Sequence, residues 1–184
     1  MPFFKSMPAN AGPGNVFSAY PEIYRYWAEM GQALINGPSP LSPAEREMIQ
    51  AYVAGLLDCR YAHVAHTAAA AARGIEDGLV GKLLDGIATA PIADNWKPLL
   101  EFIRKLTLTP TKVAQSDADA VFAAGWSEKA LHDAIAVAAR MTFMSRIIHG
   151  HGFTPMTPER AKSNAEHRAK VGYVELYPSL GGRS

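Results

Sequence analysis

Apolar side chains recur along this chain at intervals of three and four, the spacing of one helix face, and glycine- and proline-rich stretches interrupt them. From Pro21 to Leu34 the positions Ile23, Tyr24, Trp27, Met30 and Leu34 keep that period until Gly37-Pro38-Ser39-Pro40 breaks it. The next segment carries a full start signal: Ser42 as N-cap, Pro43 at the first helical position, and Glu45 completing a capping box, which predicts a helix over 43–57. On that helix Met48, Ile49, Tyr52, Val53, Leu56 and Leu57 share a broad apolar face, while Glu47, Ala51, Ala54 and Gly55 lie opposite. The second face is small rather than polar. A neighbouring helix can approach it closely and trap the Glu47 carboxylate in the contact.

Asp58 is expected to cap a further helix that runs to Arg73 and ends at Gly74. Leu79, Val80, Leu83, Leu84 and Ile87 mark a short helix, and Leu99, Leu100, Phe102, Ile103 and Leu106 another after Pro98, closed by Pro110. Ser116 with Asp119 should open a small helix ended by Gly125. Ser127 should cap a long one on which Leu131, Ala134, Ile135, Ala138, Met141 and Ile148 keep the period, ended by Gly150 and Gly152. Thr157-Pro158-Glu159 starts a last helix to about Lys170, whose polar, basic sequence has little to bury and is expected at the periphery. Residues 1–15 hold Pro2, Pro8, Gly12, Pro13 and Gly14 and read as a flexible arm. With no strand-type alternation and no repeat, the class is all-α, with about seven or eight helices. The expected organisation is one helical domain over 16–155, then a C-terminal helix and arm over 156–184 in which Tyr173, Tyr177 and Pro178 suggest a subunit interface.

Composition narrows the partners. At 184 residues, 48% hydrophobic and 19% charged, the chain is globular and about one domain long. A formal charge of +1 gives no electrostatic reason to expect nucleic acid or an acidic membrane, and no apolar run approaches the roughly 18 residues of a membrane span. A small molecule or a protein is the better expectation. The 31 alanines point to closely approaching helices. A single cysteine, Cys59, cannot close an internal disulfide, and without a basic-then-apolar leader the chain reads as cytoplasmic.

The stretch Cys59-Arg60-Tyr61-Ala62-His63-Val64-Ala65-His66 carries the candidate chemistry. On a helix Cys59, His63 and His66 share one face, and the first-turn position of Cys59 favours the reactive thiolate. The competing readings are a buried, inert thiol, a Glu47 exposed to solvent, and a metal pair of His63 and His66 with Glu47. His149-Gly150-His151-Gly152 fits a helix end facing carbonyl groups better than a metal tract. Trp126 is expected to pack at the start of the long helix.

Two stretches together resemble a known family. Leu41-Ser42-Pro43-Ala44-Glu45-Arg46-Glu47, then Cys59-Arg60-Tyr61, then His66, is similar to the alkylhydroperoxidase D-like and carboxymuconolactone decarboxylase superfamily. The run from Ala124 to Ala134 with Phe143 to Arg146 resembles its peroxidase-related subgroup. The likeness spans roughly residues 15 to 153 and implies an alkylhydroperoxidase D-like helical domain that forms homo-oligomers. It also implies a redox site in which Glu47 and His66 adjust a reactive thiol. The attacking second cysteine of the family's Cys-x-x-Cys motif is here Ala62, and Cys59 stands at the first. No cofactor or metal is implied.

Three functions stay open on the sequence. One is peroxide reduction through Cys59 alone, with His63 as its base and an external thiol reductant, the antioxidant reading. A second is a cysteine-independent, decarboxylase-like lyase using Glu47 and His66 on a small organic acid or lactone. The third is a non-catalytic oligomeric scaffold.

Overall fold

A computed structural model describes residues 1–177 and 180. Pro178 therefore lies outside the described residues. Nine α-helices and one 3-10 turn, with no strand, occupy the described residues: α1 (Pro13–Ala19), α2 (Pro21–Asn36), α3 (Pro43–Leu56), α4 (Arg60–Ala71), α5 (Leu79–Asp85), α6 (Trp96–Leu108), α7 (Gln115–Ala123), α8 (Glu128–His151) and α9 (Pro158–Glu175). The all-α expectation stands, with one more helix than the highest number expected. The extra one is α1, which begins inside the stretch read as a loose arm. Gly12 precedes it with extended backbone, Pro13 starts it, and Val16 and Phe17 bury their side chains in the core.

α3 and α4 form the most extensive helix pair. Their contact uses the small face of α3, where Ala51 and Ala54 are fully buried. Ser42 caps α3 through the Glu45 N–H, and Glu45 returns a 2.6 Å bond to the Ser42 N–H. The turn into α4 differs from expectation. Asp58 ends α3 rather than starting α4: with φ of +51° it lets its own N–H reach the Gly55 carbonyl and the Cys59 N–H reach that of Ala54. Cys59 thereby becomes the N-cap of α4. Aspartate tolerates this left-handed backbone because its short polar side chain can bond locally.

The long α8 runs against α3 and α6, with Ser127 capping it and left-handed Gly152 closing it, while Gly150 stays helical. α7 starts at Gln115 because the Asp117 carboxylate takes the Ala114 N–H, which leaves Ser116 inside the first turn rather than at the cap. Trp126 packs edge-on to Trp96 and donates to the Asn95 carbonyl. The largest departure is α9. Expected at the periphery, it lies on α4 and α2 and buries Ala161, Ala165, Arg168 and Tyr173. Its buried positions are small or long-stemmed rather than aliphatic, so its hydropathy understates how closely it packs.

Among the described residues no helix is long and apolar enough to cross a membrane.

Candidate functional site

The small face of α3 delivers Glu47 into the interior with no exposure at all. A bare carboxylate there would be prohibitively unstable, and it is fully surrounded by donors. His66 Nδ1 from α4 lies 2.7 Å from Glu47 Oε2, Gln50 Nε2 donates to the same oxygen at 3.1 Å, and the Tyr173 hydroxyl of α9 donates to Oε1 at 2.9 Å. Gln50 is held in turn by Arg140 Nη1, which donates to its carbonyl oxygen at 2.8 Å. The Arg140 guanidinium rests 3.7 Å over the Trp27 ring and 4.7 Å from the Tyr173 ring, whose surroundings also include Arg168 at 5.4 Å.

These contacts set the protonation states. Burial pushes the Glu47 carboxyl up, but the His66 hydrogen bond and charge, the Arg168 guanidinium and the Tyr173 hydroxyl outweigh it and hold the group at about 2. Burial lowers His66 below its ordinary 6.5, helped by Arg168 and Arg140, against the pull of Glu47 in the opposite direction. At neutral pH the pair is therefore an ionised carboxylate facing a neutral imidazole. The nitrogen beside a carboxylate carries the proton, so Nδ1–H donates to Glu47 and Nε2 keeps its lone pair.

His66 forms part of the wall of a cavity of about 370 Å³, together with Ala62, Trp27, Arg168 and Tyr173, and closed further by residues 12–15 and 17–18 of the N-terminal region. The arrangement can thus present an unprotonated ring nitrogen to a small molecule, with Glu47 behind it fixing the tautomer.

The other sequence candidates lie elsewhere. Cys59 is completely buried and contributes nothing to the cavity wall. Burial raises its pKa, opposed in part by the Ala62 N–H and the Ser145 hydroxyl, so the thiolate suggested by its first-turn position is disfavoured. His63 turns its Nδ1 to the Ala51 carbonyl at 3.0 Å and lines a separate depression with Val64 and Thr67. Glu47 and His66 meet, but His63 is bound elsewhere, so the three do not form a ligand set. Among the described residues no group of three or more His, Cys, Asp or Glu side chains is placed to hold a metal ion. His151 bonds the Ile147 carbonyl through Nδ1.

Gln50, Arg140 and Arg168 were not singled out from the sequence, and Tyr173, expected at a subunit interface, is instead buried against Glu47. Two signals were present: Arg140 interrupts the apolar stripe of Val137, Met141 and Met144, and Arg168 falls in register with Ala161, Ala165 and Gly172. Gly172 is what turns Tyr173 inward. Its φ of +77° and ψ of −166° kink α9, and the Tyr173 N–H is received by Gln32 Oε1 at 2.8 Å. A Cβ at Gly172 would collide with that Gln32 amide. Gly172→Ala is expected to destabilise the fold by about 1–3 kcal/mol, the usual cost of a side chain in this backbone region, when read by urea unfolding. An unchanged midpoint would show that the kink is dispensable.

Comparisons agree with this architecture. Residues 21–91 match the model of the carboxymuconolactone decarboxylase family. A crystal structure of an alkylhydroperoxidase AhpD core, a peroxidase-related protein from Ralstonia eutropha JMP134, superposes with a TM-score of 0.73 at 20% identity, covering 82% of this chain and 78% of that one. A peroxidase-related protein from Silicibacter sp. TM1040 superposes with a TM-score of 0.68 at 21% identity, covering 84% and 96%. No curated protein matches the chain. A capped α3 packed on α4 through alanines, with Glu47 and His66 facing each other across that contact, falls within the matched segment. Residues 21–91 are thus similar to the carboxymuconolactone decarboxylase family, and the chain's helical fold is the one seen in the alkylhydroperoxidase AhpD core structure.

Proposed function

We propose that the protein is a cysteine-independent acid–base enzyme of the decarboxylase-like kind, acting on a small organic acid or lactone in the cavity beside His66. The observation that carries this reading is the 2.7 Å contact between Glu47 and His66 at the cavity wall, which leaves one imidazole nitrogen unprotonated. His66 is the catalytic base and Glu47 its positioning residue. Nε2 takes the proton from a carbon next to a carbonyl group, and the C–H electron pair moves onto the carbonyl oxygen as an enolate. The imidazolium then returns the proton to carbon. In a β-keto acid the carboxylate leaves as carbon dioxide, its bonding pair forms the enolate, and a proton drawn from water through neutral His66, leaving hydroxide, completes the exchange. The surrounding guanidinium charge favours the developing anion.

Peroxide reduction through Cys59 with an external thiol draws its support from the family resemblance and from neighbours described as peroxidase-related. Enclosure of the sulfur counts against it, because peroxide and then a larger thiol would have to reach an atom with no exposure.

The test is a panel of γ-lactone and β-keto carboxylic acids in D2O, followed by NMR for deuterium uptake and carbon dioxide release. Cys59→Ala should keep wild-type rates. kcat/KM should fall along one acid limb with its midpoint below 6.5, because His66 is a base only when neutral and burial lowers its pKa. If no member of the panel exchanges, or if Cys59→Ala is inactive but folded, the proposal is wrong.

A further inference from the structure

Two guanidinium groups are buried beside the cavity, and among the described residues only one carboxylate, Glu47, is buried with them. Arg140 is 3% exposed, Arg168 9% and Glu47 0%. Arginine does not deprotonate in proteins, and His66 is held neutral, so these groups carry a surplus of one positive charge. Arg160, on the rim of the same cavity, is exposed and screened by water. Buried charges are ordinarily paired.

The hydrogen-bond donors show the same deficit. Among the described residues Arg168 Nε and Nη1 have no acceptor, although the guanidinium also interacts with the Tyr173 hydroxyl, and neither does Trp27 Nε1; both residues form the cavity wall. Arg140 Nε and Nη2 are unpaired as well, on a guanidinium laid over the Trp27 ring. Buried donors left without acceptors in this number are uncommon in native proteins. The wall also carries the apolar and aromatic side chains of Phe17, Tyr61, Met144 and Ile148, beside the polar Asn15, Ser18 and Asn164. A volume of about 370 Å³ suits a small organic ligand.

We infer that this cavity binds a monocarboxylate with an apolar or aromatic body, its carboxylate accepting hydrogen bonds from Arg168 and its body lying against the apolar wall. The inference rests on the proposal above that substrate occupies this cavity, and it names the substrate class and the residue that selects it. A single charge matches the surplus, whereas a phosphate dianion would exceed it. Arg168 lies on α9, outside the segment that matches the family model, so the selecting residue belongs to this chain's own C-terminal helix. A bound carboxylate would also cancel the Arg168 charge that helps to hold His66 down, and so strengthen the base that acts on the ligand.

The experiment uses benzoate as the probe, with benzamide as its neutral counterpart and inorganic phosphate as the competing anion, in calorimetric titrations and thermal melts. Wild type should bind benzoate at least about tenfold more tightly than benzamide and gain thermal stability from it. Arg168→Gln should bring benzoate down to the benzamide level while benzamide binding itself is retained, which shows that the cavity still forms. Arg160→Gln should leave the preference intact. Equal binding of benzoate and benzamide, absence of benzoate binding, an unaffected Arg168→Gln variant, or tighter phosphate binding would each overturn the assignment. His66→Gln separates the two proposals: it should retain benzoate binding whether or not His66 is the catalytic base, so a failure of turnover and a failure of recognition are read independently.

Discussion

His66→Gln should lose turnover by about 10²–10⁴-fold, the usual contribution of a positioned base, while folding as wild type does. Glutamine can still offer an amide N–H toward Glu47 Oε2, so the buried carboxylate keeps a donor on that side. What the variant lacks is a basic nitrogen at the cavity wall. Steady-state rates on the most active member of the lactone and keto-acid panel, set beside circular dichroism of both proteins, check the expectation. Residual activity within tenfold of wild type would remove His66 from the chemistry. The contrast with Cys59→Ala makes the result specific, since that change trims a buried thiol away from the cavity and should leave kcat/KM unaltered.

Glu47→Ala should destabilise the protein by about 3–5 kcal/mol, the cost of removing one partner from a buried charge cluster. The loss falls on many groups at once. His66 Nδ1 and the Tyr173 hydroxyl lose their acceptor, Gln50 Nε2 keeps only the Tyr173 oxygen, and Arg140 and Arg168 lose the carboxylate that offsets them. Against the roughly 5–15 kcal/mol that holds a domain together, this is a large share. Urea unfolding at neutral pH measures it, and a change below about 1 kcal/mol would show that the cluster is not a stability element. Should the alanine variant fail to fold, Glu47→Gln supplies the second measurement, keeping the shape but replacing one acceptor oxygen by a donor. The wild-type pH dependence has a matching sign. With Glu47 held at about 2 against its usual 4.5, its contribution is complete above 4.5 and is lost as the pH falls toward 2. Glu47→Gln should lose less stability over that interval than wild type.

The parts of the site that were legible from sequence are those encoded locally. Ser42 and Glu45 announce α3 within four residues, and Ala51, Ala54 and Gly55 announce a close contact that traps Glu47. The pairing of His66 with Glu47 is what the resemblance to the family's motif implies. The parts that were not legible depend on distant chain segments. Tyr173 lies 126 residues from Glu47 and reaches it only because Gly172 breaks a helix whose composition looks solvent-facing. Cys59 misled for a related reason. Its place at a helix start is a local property that favours a thiolate, but its enclosure is set by the tertiary packing around it, which no local pattern displays.

The cavity is closed by both ends of the chain, residues 12–18 and residues 160–177, around a histidine that lies between them. This ordering matters on the ribosome. At about 5–20 residues per second, several seconds separate the emergence of His66 from that of Arg168 and Tyr173. Through that interval Glu47 has its α4 partner within reach but lacks the hydroxyl and the guanidinium that come with α9. The nascent chain therefore presents the α3–α4 sequence before the α9 groups that hold its carboxylate exist, and a chain truncated before Arg168 would retain that sequence without them.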